Sequence, residues 1–145
     1  MPKRWDAAVA KFSEDTLQKY GILPWHIQSV YYQLVKAMEN GDAKRVLFLA
    51  TDLGHYIADA HVPLHTTLNY NGQLSNQSGI HAFWESRLPE LFSENFSYWV
   101  DNVKYQPNVL QTSWEVIKGS YSAKDSVLNF EREFSKTFPL DQQYS

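Results

Sequence analysis

The chain has 145 residues, a net charge of −3 and no cysteine. Disulfides and thiolate metal sites are therefore excluded, the acidic balance disfavours a broad phosphate-tracking surface, and the length suffices for one domain without covalent staples. No segment approaches the roughly 20 apolar residues of a membrane span, and Met1-Pro-Lys-Arg-Trp5 leads into no apolar signal region.

In chain order, Trp5, Val9 and Phe12 recur at helical spacing, which predicts a helix from Trp5 to Tyr20 stopped by Gly21. Pro24 suits the start of a second helix with Ile27, Val30, Tyr31, Leu34 and Met38 on its inner face. Gly41 closes it, and Asp42 can cap a third. That third helix is expected to turn Ala43, Val46, Leu47, Ala50, Leu53 and Ile57 inward and to end at Pro63. A second stripe on it carries Asp52, His55 and Asp59.

Residues 66–79 are rich in Asn, Gly, Ser and Gln and lack periodicity, which predicts a long loop. A helix then runs from Ser78 or Gly79 through His81 and Glu85 to a kink at Pro89. Phe96, Trp99, Val100 and Val103 suggest a short further helix, and Pro107-Asn108 begins another with Leu110, Trp114 and Ile117 on one side. Ser122-x-x-Asp125 resembles a capping box ahead of Val127, Phe130, Phe134 and Phe138. No strand-like alternation, repeat or low-complexity tract interrupts this pattern. The expected fold is an all-α, compact multi-helix single domain over residues 1–145.

The chemistry concentrates between Leu53 and Glu85, which hold four of the five histidines. His55 and Asp59, and again His81 and Glu85, are four residues apart. On a helix that interval turns about 400° and climbs about 6 Å, so each pair leaves one face. Imidazole nitrogen and carboxylate oxygen both bind zinc at about 2.0–2.2 Å. If the loop folds back, His65 joins His81 and Glu85 around one ion with a position left open, the arrangement of a catalytic rather than a structural zinc site. His55 and Asp59 would offer a second, incomplete half-site.

Each of these features also has an ordinary reading. A single His-x-x-x-Asp pair is usually a polar pair on a solvated helix face; two pairs joined by a histidine at a helix end shift the balance towards a metal. His61 reads as a surface or supporting residue, and His26 as a helix-start histidine with a local hydrogen bond. Asp52 can orient an imidazole but more simply is a solvated carboxylate. Tyr56, Phe83, Trp84 and Trp99 read as core. There is no His-Asp dipeptide of an HD-type phosphohydrolase and no His-Glu-x-x-His of a zinc peptidase.

His55-Tyr-Ile-Ala-Asp59-x-x-x-Pro63-Leu64-His65, followed by His81-x-x-x-Glu85, resembles the signature of the zinc-dependent phospholipase C and single-strand-specific nuclease family. The resemblance covers Asp42 to Phe92 well and the flanking helices loosely, with Ala58 and Val62 in place of the family's glycine and glutamine. It implies a helical fold of that type and up to three zincs: His65, His81 and Glu85 on one ion, His55 and Asp59 on a second, and Asp59 bridging to a third.

It implies further that the substrate is a phosphodiester, either phospholipid or single-stranded nucleic acid, cleaved by metal-activated water without stable membrane insertion. The family suggests a secreted or periplasmic location. The family's N-terminal tryptophan and upstream His and Asp ligands, among them the aspartate proposed as catalytic base, have no counterparts here. The expectation is therefore a shortened member lacking the N-terminal metal ligands and a C-terminal helix, with one zinc site complete and the catalytic base unassigned. The competing expectation is a non-catalytic helical interaction module with a decayed metal site.

Overall fold

The computed structural model describes residues 1–138, and the expectation about a closing helix falls outside them. Among the described residues every regular element is helical, so the all-α expectation holds. The chain forms two compact units, Met1–His61 with Gln106–Gly119, and Val62–Tyr105 with the residues from Ser120 onward.

The first unit opens with α1 (Trp5–Phe12) and α2 (Glu14–Tyr20), where a single helix is expected. The break is Ser13, held at φ 65°, ψ 153°. Its hydroxyl accepts a hydrogen bond from the Thr16 amide, and Glu14 and Asp15 sit in the following first turn. A local N-cap with favourable charge at the positive helix end thus overrides the apolar periodicity.

Helix α3 (Leu23–Glu39) has Pro24 in its first turn, where the missing N–H has no partner to lose. Asp42 caps α4 (Ala43–Ala60) by accepting from the Arg45 amide at 3.0 Å, as expected. The two helices pack through Val30, Leu34, Ala37 and Leu49, with Val46, Leu53 and Tyr56 against them. The buried stripe of α4 is therefore Val46-Leu49-Leu53-Tyr56. Leu47 (72% exposed), Ile57 and Met38, together with Ala43 and Ala50, face water, although the sequence placed them inward. A second cluster packs Ala8, Leu17 and Trp25 with Leu110 and Trp114. Trp25 meets Trp5 and Trp114 edge-on, each at 5.3 Å, and donates its indole N–H to the Lys3 carbonyl.

In the second unit Val62 is extended ahead of Pro63, as a residue before proline must be, and a 3-10 turn follows at Pro63–Thr66. After the loop come α5 (Ile80–Ala82), a π-helical segment (Phe83–Arg87) and α6 (Leu88–Phe92). The cause of the π segment is Pro89. It has no N–H for the Glu85 carbonyl and its ring would collide with that carbonyl, so the Leu88 amide instead reaches five residues back to Phe83. Leu64, Ile80, Val127 and Leu128 form this unit's core, with Val62 against it.

Three expectations fail here. No helix forms over 97–106, where Trp99 and Val103 are almost fully exposed, so Trp99 is not core. The proposed capping box at Ser122 is not used, because one helix, α7 (Val109–Ser135), runs through it. Its start is capped by Asn108, which accepts from the Gln111 amide. Nothing in 119–125 removes a backbone donor, so the ladder continues past Gly119 and Ser122. Phe130 and Phe134 are about two-thirds exposed and, with Phe83, Trp84 and Phe138, line a groove rather than filling a core.

Candidate metal centre

Each donor of the central cluster is fixed by a buried neighbour. Leu64, fully buried, anchors the 3-10 turn that carries His65. Ile80, 1% exposed, anchors the turn that carries His81, and Glu85 follows on the π segment. Gly79, at φ 107°, lets the loop turn directly into that helix.

The loop between these turns is internally bonded rather than loose. Asn69 Oδ1 accepts from the Leu74 amide at 2.7 Å, and Gln73 donates to the Leu68 carbonyl at 2.7 Å. Asn71 Oδ1 accepts from the Gly79 amide. Gly72 sits at φ 72°, and a Cβ there would fall 2.2 Å from the Gln77 carbonyl oxygen, so the turn admits no side chain. Gln77, buried, donates to the Leu128 carbonyl at 2.7 Å and to Glu131, tying the loop to α7.

The donor atoms of His65, His81 and Glu85 lie within 4.8 Å of one another. His65 Nε2 is 3.4 Å from His81 Nε2 and 3.0 Å from Glu85 Oε1, and His81 Nε2 is 3.3 Å from Glu85 Oε2. The two imidazoles face each other 29° from parallel, at a centroid separation of 5.0 Å. Their side chains are 26% exposed and that of Glu85 is 30%, open enough for a small ligand yet screened from bulk water.

The electrostatics of this arrangement are specific. His81 Nδ1 lies 3.2 Å from the Tyr70 carbonyl, which can only accept, so Nδ1 carries the proton. A neutral ring then turns the Nε2 lone pair towards a carboxylate and a second imidazole nitrogen. Glu85 Oε1 is closed to solvent, and His65 Nε2 faces it at 3.0 Å. Two imidazole nitrogens and two carboxylate oxygens converge there, and a carboxylate oxygen shut off from water is costly unless a proton or a cation lies beside it. The set fits zinc: two imidazole nitrogens and a carboxylate, with one imidazole oriented by a backbone carbonyl.

The remaining candidates belong to the other compact unit. His55 Nε2 and Asp59 Oδ2 pair at 3.4 Å on one face of α4, with the imidazole 70% exposed. His61 donates from Nδ1 to the Ile57 carbonyl at 2.8 Å and closes the end of α4. His26 packs edge-on against Tyr56 at 4.6 Å. Sequence reasoning missed Tyr70, because a backbone carbonyl has no residue signature. Gly72 in an Asn-Gly pair was a legible turn signal, but its closeness to Gln77 was not.

A family model described as zinc dependent phospholipase C matches residues 7–141. No curated protein and no solved structure matches the chain.

Proposed function

Because the chain belongs to the zinc-dependent phospholipase C family, we propose that it hydrolyses the phosphodiester bond of phospholipids at a zinc centre held by His65, His81 and Glu85. The observation that carries this reading is the convergence of two imidazoles and a carboxylate, whose ligand atoms lie within 4.8 Å of one another, with one carboxylate oxygen shut off from solvent. Zinc bound there would polarise a phosphoryl oxygen and make water nucleophilic near neutral pH.

The protein's own residues do the rest. The Tyr70 carbonyl holds the His81 ring in one tautomer, so its Nε2 lone pair is available without rearrangement. Glu85 faces both imidazoles with separate oxygens and thereby sets their spacing. As metal ligands, two imidazoles are neutral and a carboxylate is singly negative, so a divalent ion held by them would keep positive charge for a phosphodiester anion. His55 and Asp59 are assigned as donors to a second ion. The net charge of −3 and the family description favour phospholipid over nucleic acid.

The test is hydrolysis by zinc-loaded protein of bis(p-nitrophenyl) phosphate, phosphatidylcholine and single-stranded DNA, with His81→Ala alongside. Phospholipid and the chromogenic diester should be cleaved, and His81→Ala should lose about 100-fold or more of the rate. Equal rates for variant and parent contradict the assignment of the centre. Cleavage of DNA alone contradicts the assignment of substrate.

A further inference from the structure

Residues 96–105, Phe-Ser-Tyr-Trp-Val-Asp-Asn-Val-Lys-Tyr, leave the end of the Ser93–Asn95 turn and take no regular structure before α7. Among the described residues they hold the four most exposed large hydrophobic side chains, Val103 100%, Trp99 94%, Val100 89% and Tyr105 84%, with Tyr98 at 73% beside them. Water-exposed apolar residues scattered singly are ordinary, but five within eight positions form a patch that a folded protein rarely leaves bare.

We propose that this segment is the membrane-docking surface of the protein, seating at the headgroup level of a phospholipid bilayer. The inference rests on the phospholipid reading above and extends it from the bond cleaved to the surface on which the substrate lies. Three features select a lipid–water boundary over another protein. The first is composition: Trp and Tyr join an apolar ring to a polar edge and concentrate at the headgroup level of membranes, where one end of the ring is apolar and the other wet. The second is backbone: with no helix or sheet, its amides need water or headgroup partners, so the segment can lie at the boundary and cannot enter hydrocarbon. The Tyr98 hydroxyl already satisfies itself on the Ser93 carbonyl at 2.8 Å, leaving its ring to face outward. The third is charge: Asp101 and Lys104 cancel, so the segment has no preference for anionic lipid or for nucleic acid.

The consequence is binding driven by apolar contact rather than by charge. The experiment is co-sedimentation of the full chain with phosphatidylcholine vesicles at low and high salt, with Trp99→Ala and Val103→Asp as variants. The parent should bind neutral vesicles with little salt dependence, and its tryptophan emission should shift to the blue. Each variant should lose about tenfold in partitioning while keeping its circular dichroism and its rate on bis(p-nitrophenyl) phosphate. Variants that bind as tightly as the parent would overturn the proposal. So would a concentration-dependent dimer that either substitution abolishes, because the patch would then be a contact between copies. Binding that persists while the soluble diester is not hydrolysed supports docking and removes the phosphodiesterase reading, so the two fail separately.

Discussion

At the scale of single residues, His81 answers to two partners through its two nitrogens, the Tyr70 carbonyl on one side and the donor cluster on the other. The position of Tyr70 depends on the turn at Gly72, where the backbone is left-handed and a Cβ would strike the Gln77 carbonyl. Gly72→Ala is therefore expected to destabilise the fold by about 2–4 kcal/mol in urea unfolding, through strain and a clash with unyielding backbone. Zinc affinity should fall with it, since the carbonyl that orients His81 moves. That His81 and Glu85 lie together was legible, because an interval of four is a statement about a helix face. The group that orients one of them was not, because any residue can supply a carbonyl.

At the scale of elements, two departures from regular helix have identifiable causes. Pro89 produces the π segment that carries Glu85. Pro89→Ala restores a donor for the Glu85 carbonyl and should let the segment wind as α-helix without loss of stability. Zinc affinity should nevertheless drop about tenfold as Glu85 rotates, which competition against a chromogenic chelator would measure. At Ser13 the backbone occupies a region that glycine enters freely and serine does not. Ser13→Gly gives up a hydroxyl cap worth only a few tenths of a kcal/mol relative to glycine and relieves about 1 kcal/mol or more of strain. The melting temperature should rise by about 2–4 °C. Sequence periodicity located the long helices well and misjudged their ends and faces. On α4 the apolar residues Leu47, Leu49, Leu53 and Ile57 cover more than one stripe, and only packing against α3 selects Leu49 and Leu53. Over 97–106 the apolar residues lack a cap and a partner surface, so a helix-like spacing gave no helix.

At the scale of the whole molecule, the chain divides into two compact units with separate apolar cores, and the three-donor cluster lies within one of them. That cluster joins the Pro63–Thr66 turn to the segment beginning at Ile80. A metal ion bound there would tie these two parts together in addition to the apolar core and the loop's own hydrogen bonds. Zinc at about 100 times its dissociation constant should add about 2.7 kcal/mol to stability and raise the melting temperature by about 5–10 °C, reversibly with chelator. Which donors meet was legible only in part: the resemblance grouped His65 with His81 and Glu85, but their closure depends on how the loop from 67 to 79 bonds to itself and to α7. The extended aromatic segment was not legible as such, because its composition equally suits a buried helix.

The central claim is that His65, His81 and Glu85 together hold zinc. Calorimetric titration of zinc into metal-stripped protein and into His65→Ala, His81→Ala and Glu85→Ala tests it most directly. The account predicts a tight site in the parent that each substitution removes; a parent that takes up no zinc, or variants that bind it unchanged, would contradict it.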